Sequence, residues 1–202
     1  MQSIQNSIGY VSNFVTGEFS PRIFMLKLIR TFTLILTTAL VAFTSEHAQW
    51  TIADNYEVQF SGSGADGTFK GLEGTINFDP DNPEQAQFDV TLDARTIETG
   101  NKTKNKHARG ESWFAVEQYP QIHFRSEKIK ASGEEYQMTG TLTLHGVKKE
   151  ISFPFTFSQE GNTGLFEGSF TVDREEYGIE GPFFGFMVGD DFKVDLYVPV
   201  KK

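Results

Sequence analysis

The sequence contains no cysteine among its 202 residues. Disulfide bonds, thiolate metal ligands and a cysteine nucleophile are therefore excluded. An N-terminal cysteine that could carry a lipid anchor is absent for the same reason. A protein of this composition must be held together by its hydrophobic core alone.

A long hydrophobic run is also missing. The uncharged apolar stretch at residues 31–43 is rich in threonine and shorter than the ~20 residues that a membrane helix needs. Lys27 and Arg30 precede it and small residues follow it, which is the order of a secretory signal peptide. We therefore predict a signal peptide over residues 25–48 and no stable membrane anchor. Residues 1–24 are interpreted as an upstream non-native start, with an unusually extended leader as the alternative.

Removal of residues 1–48 leaves residues 49–202, which is enough chain for one domain with a sizeable core. Three of the 18 basic residues and two of the 27 acidic residues are lost with the leader, so 15 positive charges remain against 25 negative charges. This balance disfavours nucleic acid and anionic membrane surfaces as partners.

Catalytic and metal-binding motifs are lacking as well. A Gly-x-Ser-x-Gly elbow, a phosphate-binding loop and a dinucleotide fingerprint do not occur. His107, His123 and His145 are widely separated, and the alternation around His123 places its side chain outside the predicted sheet. Adjacent acids, such as Glu175 and Glu176, lie in predicted loops and are read as solvated charges. We predict a protein that is not an enzyme and that has no cofactor or metal.

Alternation of apolar and polar residues dominates the chain after Trp50, with clear examples at residues 86–92, 151–158 and 192–201. A period of two is typical of strands with one buried face and one wet face. Further strand candidates lie at residues 56–60, 68–78, 122–124, 136–144 and 166–172. Turn residues separate these runs, so we predict an all-β fold with eight antiparallel strands, the number that closes a small barrel.

Two connections are long, and binding residues concentrate in such loops. The first, from about Glu98 to Pro120, is basic and then aromatic, and could make one or two helical turns. The second runs from Glu175 to Gly189 and contains three phenylalanines at residues 183, 184 and 186.

Phenylalanine is abundant, with 15 of the chain's 20 copies after residue 48. Most of them fall on the apolar faces of strands or in the second long connection. Because the phenyl ring has no hydrogen-bonding group, a barrel lined by it can be packed shut or can enclose a hydrocarbon chain. Both interpretations remain open on this observation alone.

Four sequence blocks follow one another at residues 99–126 (with SWFAVEQYPQIHFRS), 140–149 (GTLTLHGVKK), 173–179 (DREEYGI) and 188–190 (VGD). In this order they resemble the YceI family of periplasmic polyisoprenoid-binding proteins. The resemblance implies a lipocalin-like barrel around an elongated apolar tunnel, with isoprenoid or fatty chains as ligands. Two departures, at residues 104–108 and at Asn55-Tyr56, indicate a different head-group preference.

The predicted tunnel lining combines the apolar strand faces with the aromatic residues of the two loops. It comprises Phe88, Val90, Leu92, Trp113, Phe114, Phe124, Met138, Leu142, Phe153, Phe155, Phe157, Phe170, Phe183, Phe184, Phe186, Phe192 and Leu196. Candidate head-group contacts are Lys104, His107, Arg109 and Arg174. The alternative for the first three is a solvated loop, and for Arg174 an ion pair that fixes the turn before Tyr177.

We therefore expect a periplasmic or secreted protein that binds, stores or transports a long apolar lipid. A non-catalytic interaction module with a packed phenylalanine core is the alternative. A carbohydrate-binding sandwich is disfavoured, since the wet faces carry Asp, Gln, Thr, Ser and Lys, with Tyr197 as the main aromatic exception. The identity of the lipid and the oligomeric state stay open.

Export predicts a processed N-terminus. N-terminal sequencing of the periplasmic or secreted protein should begin within a few residues of Gln49. Recovery of residues 25–43 in a membrane fraction would contradict the signal-peptide interpretation.

Overall fold

The computed structural model describes residues 49–181 and 188–202. Residues 1–48, which include the predicted signal peptide at residues 25–48, and residues 182–187 lie outside this description. In chain order the elements are β1 (Gln49–Ile52), β2 (Glu57–Gly62), β3 (Ala65–Asn77), a 3-10 turn (Pro83–Gln85), β4 (Gln87–Glu98), α1 (Lys102–Arg109), β5 (Gln121–Ser132), β6 (Glu135–Leu144), β7 (Val147–Glu160), β8 (Thr163–Asp173), a second 3-10 turn (Glu175–Tyr177) and β9 (Asp191–Lys201).

The strands β2 to β9 form a closed ring. Each strand pairs antiparallel with the next one in the chain, and β9 returns to pair with β2 from Glu57↔Tyr197 to Gly62↔Phe192. Closure leaves these strands without an exposed edge. The predicted eight-stranded antiparallel barrel with a short helix in a long loop is confirmed.

The short strand β1 was not anticipated. It pairs with β3 at Trp50↔Ile76 and with β9 at Ile52↔Val200, in the gap that β2 fills further along the barrel. β1 and β2 are therefore two halves of one strand position, interrupted at residues 53–56. Four residues are too few for the alternation pattern to identify a strand.

Side chains alternate between the barrel interior and the outside as their sequence pattern predicts. On β7, Phe153 and Phe155 are buried, whereas Pro154 between them is exposed. On β5, His123 lies outside, where its Nε2 is 2.7 Å from a carboxylate oxygen of Asp89. The phenylalanines are thus concentrated in the interior.

The alternation breaks in β3, which is bulged. Its register against β4 shifts between Thr68 and Lys70 and again between Lys70 and Glu73. Gly74 has a φ of +140°, and a Cβ there would collide with the backbone of β4. Such bulges let a strand bend around a tight barrel.

One end of the barrel is filled by aromatic rings, which we name the closed-end cluster. Its members are Trp50, Phe78, Phe88, Tyr136, Phe155, Phe157 and Phe166. Phe78 is 0% exposed, and its ring centroid lies 4.9–6.1 Å from those of five other members. The indole N–H of Trp50 donates to the carbonyl oxygen of Phe78 at 2.9 Å. These contacts close this end of the barrel.

The opposite end, which we name the mouth, carries the long connections. It comprises the β2–β3 turn at residues 63–64, the connection 99–120 with α1, the β6–β7 turn at residues 145–146, and residues 174–181 and 188–190 of the connection between β8 and β9. No helix within the described ranges has the length and apolar character needed to cross a bilayer.

The closed-end cluster predicts where stability is concentrated. Phe78→Ala removes a ring with contacts on all sides, so the free energy of unfolding should fall by about 3–5 kcal/mol. Tyr197→Thr is the matched control, because Tyr197 is 40% exposed on the outer face and its replacement should cost little. Urea denaturation followed by circular dichroism measures both changes. Equal midpoints for the two variants would show that the cluster is not an important source of stability.

Candidate ligand-binding cavity

An elongated cavity of about 460 Å³ occupies the barrel interior. It extends from residues of the mouth, among them Lys104 and Ile179, to Phe88 and Phe166 of the closed-end cluster. Its volume falls within the ~300–1,000 Å³ of ordinary small-molecule sites. The barrel is therefore not packed shut.

Most of the predicted lining faces this cavity. The lining residues are Phe88, Val90, Leu92, Trp113, Phe114, Phe124, Met138, Leu142, Phe153, Phe155, Phe170, Phe192 and Leu196. The predicted residues Phe183, Phe184 and Phe186 lie outside the described part of the chain.

Phe157 is not part of the lining, which corrects its place in the predicted set. Its ring contacts Trp50, Phe78 and Phe166 at centroid distances of 5.3, 4.9 and 4.5 Å. The ring also covers Gly164, where a Cβ would lie 2.7 Å from it. Phe157 is thus packed behind the end of the cavity.

Sequence reasoning missed part of the wall. Phe69 and Leu72 both face the cavity although they are three residues apart, because β3 is bulged between them. Ile97 of β4 also faces the cavity although it lies five residues after Leu92, an odd number that would normally place the two side chains on opposite faces. The register shift between β3 and β4 in this region accounts for the difference. Other apolar lining residues absent from the predicted set are Val58, Phe60, Ile76, Ala108, Ile122, Leu144, Phe166, Val172, Ile179, Val188, Val194 and Val198.

Helix α1 is held at the mouth by two asparagines. The side-chain oxygen of Asn101 accepts from the backbone N–H groups of Thr103 and Lys104 at 2.9 and 3.1 Å, which caps the helix. Asn105 is 4% exposed, and its oxygen accepts from the backbone N–H and hydroxyl of Thr99 at 2.8 and 2.7 Å. Asn105 therefore fixes the helix to the end of β4.

Asn105 also influences a neighbouring acid. Hydrogen bonds from the Asn105 side chain and from the backbone N–H of Gly100 hold the pKa of Glu98 below its ordinary value, and the charge of Arg109 adds to this effect. Glu98 is thus ionised at neutral pH, next to the start of α1.

Lys104 and His107 place polar groups on the cavity wall. Both lie on α1 and line the cavity near the mouth. The ammonium of Lys104 donates to the carbonyl oxygen of Gly64 at 3.3 Å, across to the β2–β3 turn. Both side chains are exposed, so neither is committed to the core.

Arg109 points away from the cavity, contrary to its place among the predicted head-group contacts. Its guanidinium donates to the carbonyl oxygens of Arg95 and Ile97 at 2.7 and 2.8 Å. Arg109 therefore anchors the end of α1 to the backbone of β4.

Arg174 is buried, with 6% of its surface exposed, and its donors are largely used. It donates to the carbonyl oxygens of Ile179, Val188 and Gly189 and to the carboxylate of Asp190, at 2.5, 3.2, 3.1 and 2.7 Å. These bonds take four of the five N–H donors of a guanidinium. Although Arg174 borders the cavity, its main role is to fasten the second long connection.

Arg174 also links the two long connections. Its guanidinium carbon lies 5.5 Å from the centroid of the Trp113 ring, which lines the cavity. Cation–π contact in a desolvated position is stabilising. Arg174 thus positions Trp113 of the first connection on the cavity wall, and it also fixes residues of the second connection through their carbonyl oxygens.

A second contact at the mouth joins the β6–β7 turn to the residues that follow β8. Nδ1 of His145 lies 3.1 Å from the carbonyl oxygen of Tyr177, and the Tyr119 ring packs on the imidazole at 4.7 Å. Burial, assisted by the charge of Glu176, raises the pKa of Tyr177 and keeps its hydroxyl neutral. His145 therefore has a packing role at this turn.

The contacts of Arg174 predict a structural effect of its removal. Arg174→Leu leaves three carbonyl oxygens and a carboxylate without their donor, so the free energy of unfolding should fall by about 3–5 kcal/mol. Arg174→Lys retains the charge without the forked geometry and should lose less. Urea denaturation measures both changes. A stable Arg174→Leu variant that loses bound lipid would instead identify Arg174 as a head-group contact.

Sequence comparison identifies one matching family model and several related proteins. A family model described as the YceI-like domain matches residues 42–200. A UPF0312 protein of Pseudomonas savastanoi pv. phaseolicola is 36% identical over 123 residues, which cover 57% of this chain and 64% of that protein. Protein YceI of Salmonella arizonae is 34% identical over 109 residues, covering 54% of this chain and 57% of that protein. The matched part is thus less than two thirds of the length of these curated relatives.

Solved structures share the fold. The crystal structure of Burkholderia cenocepacia BcnA aligns with a TM-score of 0.68 at 26% identity, covering 71% of this chain and 95% of that one. A polyisoprenoid-binding domain from Saccharophagus degradans aligns with a TM-score of 0.57 at 16% identity, covering 77% and 99%. The latter similarity concerns the fold alone. Because the family model spans most of the sequence, the chain belongs to the YceI-like domain family.

Proposed function

We propose that this protein binds a long apolar chain, of isoprenoid or fatty type, inside its barrel. The observation that carries the proposal is the cavity of about 460 Å³, whose walls are mainly aliphatic and aromatic side chains. A YceI-like barrel with a packed phenylalanine interior would lack such a space. The cavity therefore favours a lipid-binding protein over an interaction module.

The chemistry of the wall suits a hydrocarbon. Water in an apolar cavity has few hydrogen-bond partners, so such a space favours apolar occupants. Each methylene group transferred into it contributes ~0.8 kcal/mol. Phe124, Met138 and Leu142 exemplify this apolar wall. Affinity would then depend mainly on buried chain length.

The head group of the ligand would lie at the mouth. Lys104 and His107 are the cavity-lining residues there with exposed donor groups, since Arg109 and Arg174 are used by backbone carbonyls. A head group with hydrogen-bond acceptors, such as a phosphate, a carboxylate or a ring carbonyl, suits these two donors.

Binding without catalysis is the role that the cavity supports. A general acid or base needs a titratable group within hydrogen-bond reach of the reacting atoms. On the described part of the wall the titratable groups are few, and Lys104 and His107 are solvated at the rim. We therefore infer a carrier or store for the lipid. We propose that the protein performs this role in the periplasm or outside the cell, because residues 25–48 have the order of a signal peptide.

A pair of adjacent substitutions on β9 tests the proposal. Leu196 faces the cavity, whereas Tyr197 next to it is 40% exposed on the outer surface. Leu196→Asp places a carboxylate against the ligand without a partner, so apolar lipid in an organic-solvent extract of the purified protein should fall at least tenfold. Tyr197→Asp, the matched control, should retain the lipid.

Circular dichroism must show both variants folded, and Leu196→Ala provides an uncharged substitute if Leu196→Asp unfolds. This milder variant should bind an added fatty acid more weakly than the parent does. The proposal is wrong if the parent neither carries an apolar lipid nor binds an added fatty acid.

A further inference from the structure

The cavity ends at three rings that belong to both the wall and the closed-end cluster. Phe88, Phe155 and Phe166 line the cavity, and their ring centroids are 5.3–6.1 Å from one another. We name these three rings the floor. Each of them also contacts Phe78 on the side away from the cavity, at 5.3–6.1 Å.

The space behind the floor is filled. Phe78 and Trp50 are 0% and 2% exposed, and neither lines the cavity. Phe157 packs on Phe166 at 4.5 Å from the same side. A chain that reached the floor could therefore advance only by displacing packed rings.

Gly168 lies directly before the floor, at a position where a Cβ would meet its neighbours less closely than at the other glycines within strands. At several other strand glycines a ring takes the place of the side chain: a Cβ would lie 2.7 Å from Phe124 at Gly140 and 2.7 Å from Phe192 at Gly62. At Gly168 a Cβ would lie 3.3 Å from both the Phe155 Cβ and the Pro154 backbone oxygen, and 3.6 Å from the Phe153 ring. Gly168 lines the cavity two residues from Phe166, on the same face of β8. Because Gly168 lines the cavity, a side chain at this position would occupy part of the cavity beside the floor.

We propose that the floor, together with the missing side chain at Gly168, sets the longest apolar chain that the cavity can enclose. This inference rests on the proposed function. Phe88 and Ile97 both line the cavity from β4 and are nine residues apart. At ~3.3 Å per residue and a strand tilt of ~35–45°, their separation corresponds to ~20–25 Å along the barrel axis. Chains longer than this space must fold back or leave methylene groups outside.

The floor predicts a measurable pattern in the affinities of ligands that differ only in the length of their apolar chain. Each added methylene that enters the cavity should raise affinity about fourfold, which corresponds to ~0.8 kcal/mol. Once the chain reaches the floor, further methylenes gain nothing inside the barrel. Affinity plotted against chain length should therefore rise and then reach a limit, and the limiting length reports the position of the floor.

Two substitutions on β8 should change the limiting chain length in opposite directions. Phe166→Ala removes a floor ring and should shift the limiting length to longer chains. Gly168→Val fills the space before the floor and should shift the limiting length to shorter chains. Thr171→Val is the matched control, because Thr171 is exposed on the outer face of the same strand, and it should leave the limiting length unchanged.

Affinities for saturated fatty acids of increasing chain length can be measured by displacement of a fluorescent fatty acid, with circular dichroism as the test of folding. Phe166→Leu replaces Phe166→Ala if the latter does not fold. Unchanged limiting lengths in folded floor variants would overturn this inference while leaving lipid binding in place. A parent protein that binds none of the series would overturn the proposed function, and this inference with it.

Discussion

The fully buried ring of Phe78 is the contact on which the rest of the barrel interior depends. It brings five aromatic rings from four strands into one cluster, and the Trp50 indole fixes its backbone by a hydrogen bond. The largest hydrophobic cluster includes these rings, and two smaller clusters, around Tyr177 and around Phe69, pack the walls nearer the mouth. The closed end of the barrel is thus filled by side chains, while space for a ligand remains between this end and the mouth.

The mouth is organised by polar groups that satisfy backbone atoms. Long connections bring many carbonyl and N–H groups together, and each of these is costly when it is buried without a partner. Arg174 serves the second connection, while Asn105 and Arg109 fix the first to β4. Because these side chains are used structurally, the proposed head-group contacts are Lys104 and His107, which are exposed on the cavity wall.

Clean alternation explains which parts of the structure could be predicted from the sequence. The inward faces of β4, β7 and β9 follow a period of two, so Phe88, Phe153 and Leu196 were placed correctly on the cavity side. Phe69 and Leu72 were missed because bulges change the period locally, and a bulge depends on the pairing with β4. The role of Arg174 depends on carbonyl oxygens whose positions are set only by the folded loop.

The closed-end cluster also gives the barrel a direction. A hydrocarbon that occupied a cavity with one filled end would enter with its tail first and leave with its head group first. The first part of the molecule available to an acceptor would be the polar end beside α1. A protein or membrane that exchanged lipid with this barrel would therefore have to approach one particular end of it, and the dissociation rate would depend on withdrawing the whole buried chain through that end.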